Sequence, residues 1–514
     1  MKRLLLIAAF AAAPAHADPK FTDRAKDLPV QQVYSGGWEH FVGGGVALLD
    51  CNHSGYPSMY VAGGSGPSRL FINTTASPGA PITFRVGSGM PALTDVTGAY
   101  PLDINGDGWI DLFVMRVGGN VVLKGGPECK FTDATKDWGL DPGNKWTTAF
   151  SATWEKGQSW PTIAIGNYVD RFNPNGPFKA CDVDYLVRPK GRKFGTPIPL
   201  KPSFCSLSML ISDWKRTGVR DLRVANDRQY YVDGGWEQMW HLKPLRQYTE
   251  AEGWKHVSLW GMGIASMPLR GTGAPDIMTT SMGDQLLQLN NNGVLTAAPY
   301  SIGTYAQRPF FGDDGRPSTG WHAEFADVNN DGRPDLFIAK GNVEEMPSNA
   351  SKDPNNLLIQ QPDGTFVEKA DVAGVATTER SRGAGLVDLN NDGKLDLVVV
   401  NRRAPMEVWQ NATEASGNWL EVQPRMTSGG NTQAVGAWVE VKTNAGEQDQ
   451  EITVGGGHAS GHSTPIHFGV GQATKAQLRV IWPDGKTSDW ADVPVNAKSS
   501  VWANGTGLRI GPLY

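Results

Sequence analysis

The stretch Asp103-Ile-Asn-Gly-Asp-Gly-Trp-Ile-Asp111 decides how this chain is read. Side-chain oxygens stand at loop positions 1, 3, 5 and 9 (Asp103, Asn105, Asp107, Asp111), and the carbonyl of Trp109 stands at position 7. Calcium takes six to eight oxygen ligands, so a short loop can supply most of them only by curling around the ion. Gly108, at position 6, permits the sharp turn this needs. The loop is not an EF-hand, because its last acid is at position 9 and no Glu stands at 12. The residues that follow, Leu112-Phe-Val-Met115, read as a buried strand rather than an exiting helix.

The pattern returns twice in full. Asp327-Val-Asn-Asn-Asp-Gly-Arg-Pro-Asp335 runs into Leu-Phe-Ile-Ala, and Asp388-Leu-Asn-Asn-Asp-Gly-Lys-Leu-Asp396 runs into Leu-Val-Val-Val. One copy could be an Asx-rich turn, but three copies that each enter an apolar strand are not explained by local turn chemistry. The expectation is about three calcium ions. Their ligands would be Asp103, Asn105, Asp107, Trp109 and Asp111 in the first loop, and Asp327, Asn329, Asp331, Arg333 and Asp335 in the second. Asp388, Asn390, Asp392, Lys394 and Asp396 would form the third, and position 7 serves through its carbonyl each time.

Weaker copies begin at Asp50, Trp154, Asp213 and Pro268. The copy at Asp213 keeps both end acids but places Lys215 at a ligand position, where it is expected to pair with Asp213 or Asp221. The seven starts are spaced 51 to 61 residues apart. That period, with short strands and glycine-rich turns, predicts an all-β seven-bladed propeller over residues 18–415. Pro, Gly and basic residues over about 173–205 read as an insertion, either a cap over one face or a disulfide-pinned surface loop.

The chain opens Met-Lys-Arg, then an apolar run from Leu4 to Ala13 and a small-x-small site at Ala15-His-Ala17. Residues 1–17 are thus expected to be a cleaved signal peptide, which makes the chain periplasmic or secreted. The run is too short to span a bilayer, and no later stretch is long enough. Loss of Lys2 and Arg3 takes the charge from −5 to about −7, which argues against nucleic acid as a partner. Four cysteines in an exported chain suggest disulfides, and three pairings are open. Cys181 with Cys205 is the nearest pair, which leaves Cys51 with Cys129.

From about residue 416 to 514 the texture changes to alternating strands without such loops, which predicts a separate small β-sandwich or barrel. Here stand Gly436-Ala-Trp-Val-Glu-Val, Gly455-Gly-Gly-His, His467-Phe-Gly-Val-Gly471 and Ile481-Trp-Pro-Asp-Gly485. These resemble the ASPIC/UnbV domain, and the acidic loops resemble the FG-GAP/VCBS repeats of integrin-α-like propellers. Together they are similar to the secreted cartilage acidic protein family, which implies a calcium-bearing extracytoplasmic propeller and little about activity.

No catalytic residue stands out. Most notable carboxylates fall in the calcium-type loops, and no nucleophile elbow is present. His458 and His462 are four apart, but in a stretch that is not helical by pattern, which disfavours a transition-metal site. Gly455–Gly457 lacks the strand-to-helix context of a phosphate loop. Trp260, Trp321, His322, Arg380 and Arg382 precede strands and are candidate channel-lining residues, with packing between blades as the competing reading. The function expected is a binding, adhesion or scaffold module for an unidentified protein or glycan. The alternative is an enzyme acting on a small molecule or sugar in the channel.

Overall fold

The computed structural model describes residues 18–174, 180–227, 235–305, 315–414 and 416–513. The expected leader lies outside them. Each acidic loop turns an inner strand back into a second strand. The unit around Asp327 shows the plan: Gly320–Ala326, Asp335–Lys340, Asn356–Gln360 and Phe366–Glu368 pair antiparallel in that order. Among the described residues, seven such sets of four strands follow one another before residue 412. Two of them join into one larger sheet where Lys145–Trp146 meets Val117–Gly118.

The inner strands abut one another in sequence order: Val46–Leu49, Val96–Leu102, Lys145–Thr153, Ser206–Ser212, Gly261–Met267, Gly320–Ala326 and Arg380–Val387. The last of these returns to the first, so the sheets stand around a common axis as propeller blades do. In the last six inner strands the register slips near the strand start, for example between Val96 and Gly98 and between Ser381 and Ala384. Such bulges bend a strand and sharpen its twist.

The final unit borrows its outer strand. Phe21–Asp23 pairs with Trp409–Asn411, so the N-terminal segment completes the sheet that the chain reaches last. The expected insertion at about 173–205 is in part blade structure. Asp184–Val187 and Ile198–Leu200 are the third and outer strands of the third unit. Strand pairing overrode the high Pro and basic content on which the insertion was read. Of that segment, residues 175–179 lie outside the described residues. Both disulfides pair as nearest-neighbour spacing suggested. Cys51–Cys129 ties the first unit to the second, and Cys181–Cys205 brackets the third and outer strands of the third unit.

Buried Asp184 accepts from the Asn167 N–H and the Ser206 hydroxyl, both at 2.8 Å. Burial pushes its carboxyl up to about 7. A raised folded-state pKa means that the folded chain holds a proton the unfolded chain has already lost, so stability falls as pH rises from about 4 to 7. Asp184→Asn is therefore expected to gain stability relative to the parent over that window. Denaturant titrations at pH 4.5 and 7.5 measure it; a difference that does not change with pH would refute it.

Residues 416–513 form two further four-stranded sheets with a core of their own. In one, Asn418–Pro424 lies between Ile466–Gly471 and Lys498–Asn504. In the other, Trp438–Thr443 lies between Gly446–Glu451 and Ala476–Ile481. Leu420, Val439, Phe468, Leu478 and Val501 are buried between them.

Candidate functional site: the acidic loops and the threaded channel

The first acid folds each loop on itself. Asp103 accepts from the N–H of Gly106 and Gly108, both at 2.8 Å. Asp327 and Asp388 take the N–H of Gly332 and Gly393 at 2.7 and 2.9 Å. The weaker copies do the same: Asp50 takes Gly55 N–H and Asp213 takes Gly218 N–H, both at 2.7 Å. The turn is therefore an Asx-type closure that also forms where the other acids are missing. The position-5 acids Asp107, Asp331 and Asp392 accept from the N–H of Trp109, Arg333 and Lys394 at 2.9–3.0 Å.

The last acid has a separate task. Asp111, Asp335 and Asp396 each bridge the N–H of the loop's second residue and an N–H beyond the third strand (Gly125) or at its end (Gln360, Asn411). Asp276 makes the same bridge to Leu269 and Asn290, in a loop that keeps none of the other acids. Position 9 is thus a staple between strands whether or not the loop has a ligand set. Asp276→Ala orphans two buried donors and is expected to cost about 2–4 kcal/mol while leaving metal content unchanged. Chemical denaturation checks the first part, and a change in bound calcium would contradict the second.

In the weaker Asp213 loop, Lys215 does not pair with Asp213 or Asp221. Its ammonium lies 4.7 Å from the Trp214 ring centre and 4.8 Å from that of Tyr248. Asp221 instead accepts from Trp214 Nε1 at 3.0 Å and from the Tyr248 hydroxyl at 2.6 Å. The aromatic faces offer the cation a site of their own, and Asp221 Oδ2 is taken up by the two neutral donors.

In donor chemistry the three full loops fit calcium: every candidate ligand is oxygen. Their carboxylates also crowd each other. Burial first, and then Asp331, push Asp327 up to about 7, and burial with Asp327 drives Asp335 well above the carboxylate range. A divalent cation would relieve that repulsion. Among the described residues, no three His, Cys, Asp or Glu side chains already converge as a metal-holding group. The loop oxygens are turned instead to the N–H groups named above. Each full loop also has a cationic neighbour. Lys124 reaches Asp107 at 3.0 Å, Arg333 pairs with Asp331, and Lys498 reaches Asp388 at 3.1 Å.

The loops form the face on which the C-terminal domain sits. The Thr432 hydroxyl donates to Asp103 at 2.6 Å, and Asp103 N–H donates to Gln433 at 2.7 Å. His467 Nε2 meets Asn330 Oδ1 at 2.7 Å, and Gly471 N–H donates to Asn330 O at 2.9 Å. Glu451 accepts from Asp213 N–H at 3.0 Å. His467 is thus a docking residue within its motif.

From this face the segment 452–463 enters the ring. Val454 O accepts from Ala152 N–H at 3.0 Å, and Gly456 N–H donates to Met209 O at 2.7 Å. Gly457 N–H donates to Ile264 O at 2.7 Å, and His458 N–H to His322 Nδ1 at 3.1 Å. Ser460 Oγ accepts from Val46 N–H at 3.0 Å, and Gly461–Ser463 pairs in parallel with Ala47–Leu49. The segment therefore bonds to one inner strand after another around the axis. Gly455, Gly456 and Gly457 all have positive φ, which lets the backbone curl inside the ring. Glycines on the blades make the room: a Cβ at Gly45 or Gly98 would lie 1.8 or 2.1 Å from Ala459 O.

Of the five candidate channel residues, Trp321 and His322 contact this plug, and Arg382 lies over Trp321. Trp321 is fully buried, with the Arg382 guanidinium 4.1 Å from its ring centre and the His458 ring at 5.0 Å. Arg382 is also fully buried and donates to the carbonyls of Phe41, Ser381, Asn342 and Val343. His322 holds the plug through Nδ1. Trp260 and Arg380 are half-buried and lie just before, and at the start of, their inner strands. Packing, not an open channel, explains the buried trio.

A cavity of about 230 Å³ remains between the ring and the C-terminal domain. His322, Glu324 and His462 meet there. Glu324 lies 3.3 Å from His322 Nε2 and 3.4 Å from His462 Nε2, and Leu386 N–H donates to it at 3.1 Å. Despite burial, these partners hold the Glu324 carboxyl down at about 2 and raise the His462 pKa. No spacing in the sequence joins Glu324 to His462; only the threading of the plug does so.

A ring of antiparallel sheets joined by acidic loops, with a β domain seated on the loops, defines the class of protein. Residues 327–399 match the FG-GAP-like repeat family, and residues 427–505 match the ASPIC and UnbV family. Cartilage acidic protein 1 of Mus musculus is 29% identical over 167 residues, which is 31% of this chain and 25% of that protein. The Xenopus tropicalis protein is 33% identical over 111 residues, 21% of this chain and 17% of its own length. The match thus spans a quarter or less of these curated relatives. This chain is thus similar to cartilage acidic protein, with an FG-GAP-like repeat match and an ASPIC/UnbV match. Among solved structures, the WD40 domain of Toxoplasma gondii coronin is 10% identical, with a TM-score of 0.43 over 78% of this chain and 88% of that one. BBS1N in complex with ARL6DN is 9% identical, also with a TM-score of 0.43, over 74% and 94%. Among the described residues no helix is long and apolar enough to cross a membrane. The two disulfides, with the likeness to cartilage acidic protein, suggest an extracellular or secreted protein.

Proposed function

We propose that this chain is an exported, seven-bladed binding or scaffold module for a protein or glycan, with calcium in its full acidic loops. The observation that carries this reading is the threading of residues 452–463 through the ring. A channel bonded from strand to strand by its own chain offers little room for a substrate. It does make a rigid core for presenting surface loops on the face away from the C-terminal domain. Calcium would be held by the acids at positions 1, 5 and 9 and the Asn amide oxygen at position 3 of each loop, and would neutralise the repulsion among the acids. Probing glycan and extracellular-protein arrays with the purified chain, in calcium and in chelator, tests the reading. Binding of a defined ligand supports it; no binding in either condition, with the fold intact, counts against it.

A second reading has one specific observation in its favour. His462 lines the interdomain cavity, and Glu324 orients its ring as a carboxylate orients a general base. On that reading the cavity takes a small molecule or sugar. His462→Gln should then abolish turnover or ligand-induced thermal shifts in a small-molecule panel, and an unaffected variant would exclude it.

A further inference from the structure

The three full loops differ in what neutralises them. In the first, Lys124 reaches the position-5 acid from a side chain that is 42% exposed. In the second, Arg333 does so from one that is 30% exposed. The first of these pairs is open to water and contributes little; in the second the Asp331 side chain is 2% exposed, and its cation comes from the loop itself. The first acids of these loops, Asp103 and Asp327, have no ammonium or guanidinium partner among the described ion pairs.

The third loop is neutralised at position 1. Lys498 Nζ lies 3.1 Å from Asp388 Oδ2 and 2.9 Å from Glu421 Oε2. Its side chain is 12% exposed, and those of Asp388 and Glu421 are 0% and 3% exposed. Lys498 cannot leave for solvent without separating from two buried carboxylates, and breaking a buried pair leaves an uncompensated charge. Nor is the lysine local. It stands on the strand Lys498–Asn504 of the C-terminal domain, which pairs in parallel with Asn418–Pro424, the strand that carries Glu421. A calcium ion at Asp388 would lie against this ammonium, two cations sharing one acid.

We propose that Lys498 is the resident cation of the Asp388 loop. It keeps calcium out of a loop whose sequence carries the full ligand pattern, and it fastens the C-terminal domain to the last unit. The two other loops are free to take the ion. This rests on the calcium reading given above.

Calcium titration of the full chain, followed by native mass spectrometry, tests it. The parent should bind about two ions and Lys498→Met about three. Asp388→Asn should leave the parent count unchanged, whereas Asp103→Asn should lower it by one. If Lys498→Met does not fold, the Asp388→Asn count decides. A parent count of about three, or a loss of one ion in Asp388→Asn, overturns the proposal and leaves the calcium reading standing. A parent that binds none overturns both.

Discussion

Gly98→Ala is expected to unseat the plug. The added Cβ would lie 2.1 Å from Ala459 O and 2.8 Å from Ala459 Cβ, so backbone must move. Overpacking of a well-filled core costs about 1–3 kcal/mol, and the upper end applies where a main-chain carbonyl is the obstacle. The loss should not stop at one contact. His458 and Ser460 flank Ala459, and through them the plug holds Gly43, His322 and Val46. If Ala459 is displaced, Gly43 N–H loses the His458 Nε2 acceptor at 3.0 Å and Val46 N–H loses Ser460 Oγ. Burial, with Arg382 and His322 nearby, holds His458 down at about 3, so it is neutral and accepts at Nε2. Two measurements check this: the thermal midpoint, and protease cleavage within 452–463. A variant as stable and as protease-resistant as the parent would show that the plug tolerates displacement.

Removing calcium should produce the second large effect. An ion that binds the folded chain alone stabilises it by mass action, by about 2.7 kcal/mol per site when free calcium is a hundredfold above its dissociation constant. Two sites acting independently would contribute about 5 kcal/mol. Because the Asp103 and Asp327 loops carry contacts to Thr432, Gln433 and His467, the C-terminal domain should loosen with them. Excess chelator is thus expected to lower the unfolding midpoint and to raise amide exchange on both sides of the interface. A thermogram that chelator leaves unchanged would remove the stabilising role.

Much of the fold was legible because its signals are local. Acids, Asn and Gly at fixed offsets mark each loop, and the apolar residues after them mark the second strand of each unit. The cysteine pairs followed from spacing in the chain. The plug was not legible, since Gly455–Gly457 resembles any flexible turn until the ring around it exists. Its signal was distributed. Gly45, Gly98 and Gly383 sit at or near inner-strand starts where a side chain would strike residues 459 and 460, and no single one of them is unusual in sequence. The strand Phe21–Asp23 is too short to announce itself. Lys215 was read from charge alone, and the aromatic faces that hold it lie on residues 214 and 248. Trp321, His322 and Arg382 were singled out by sequence with channel lining and packing both open; that His458 of the C-terminal segment meets Trp321 and His322 had no local signal.

The borrowed outer strand of the last unit sets an order of events during synthesis. Arg24 Nε donates to Gln410 Oε1 at 2.9 Å, across 386 positions of chain. A chain that emerges from its N-terminus carries Phe21–Asp23 without a partner until the residues near 410 arrive. The long closure is entropically costly, but the cost grows only slowly with length. What grows with length is waiting time, during which an unpaired edge is open to pairing with a neighbouring chain. Three residues, two of them exposed, are a small edge to leave open for so long. The shortness of that strand thus limits misassembly before the ring can shut.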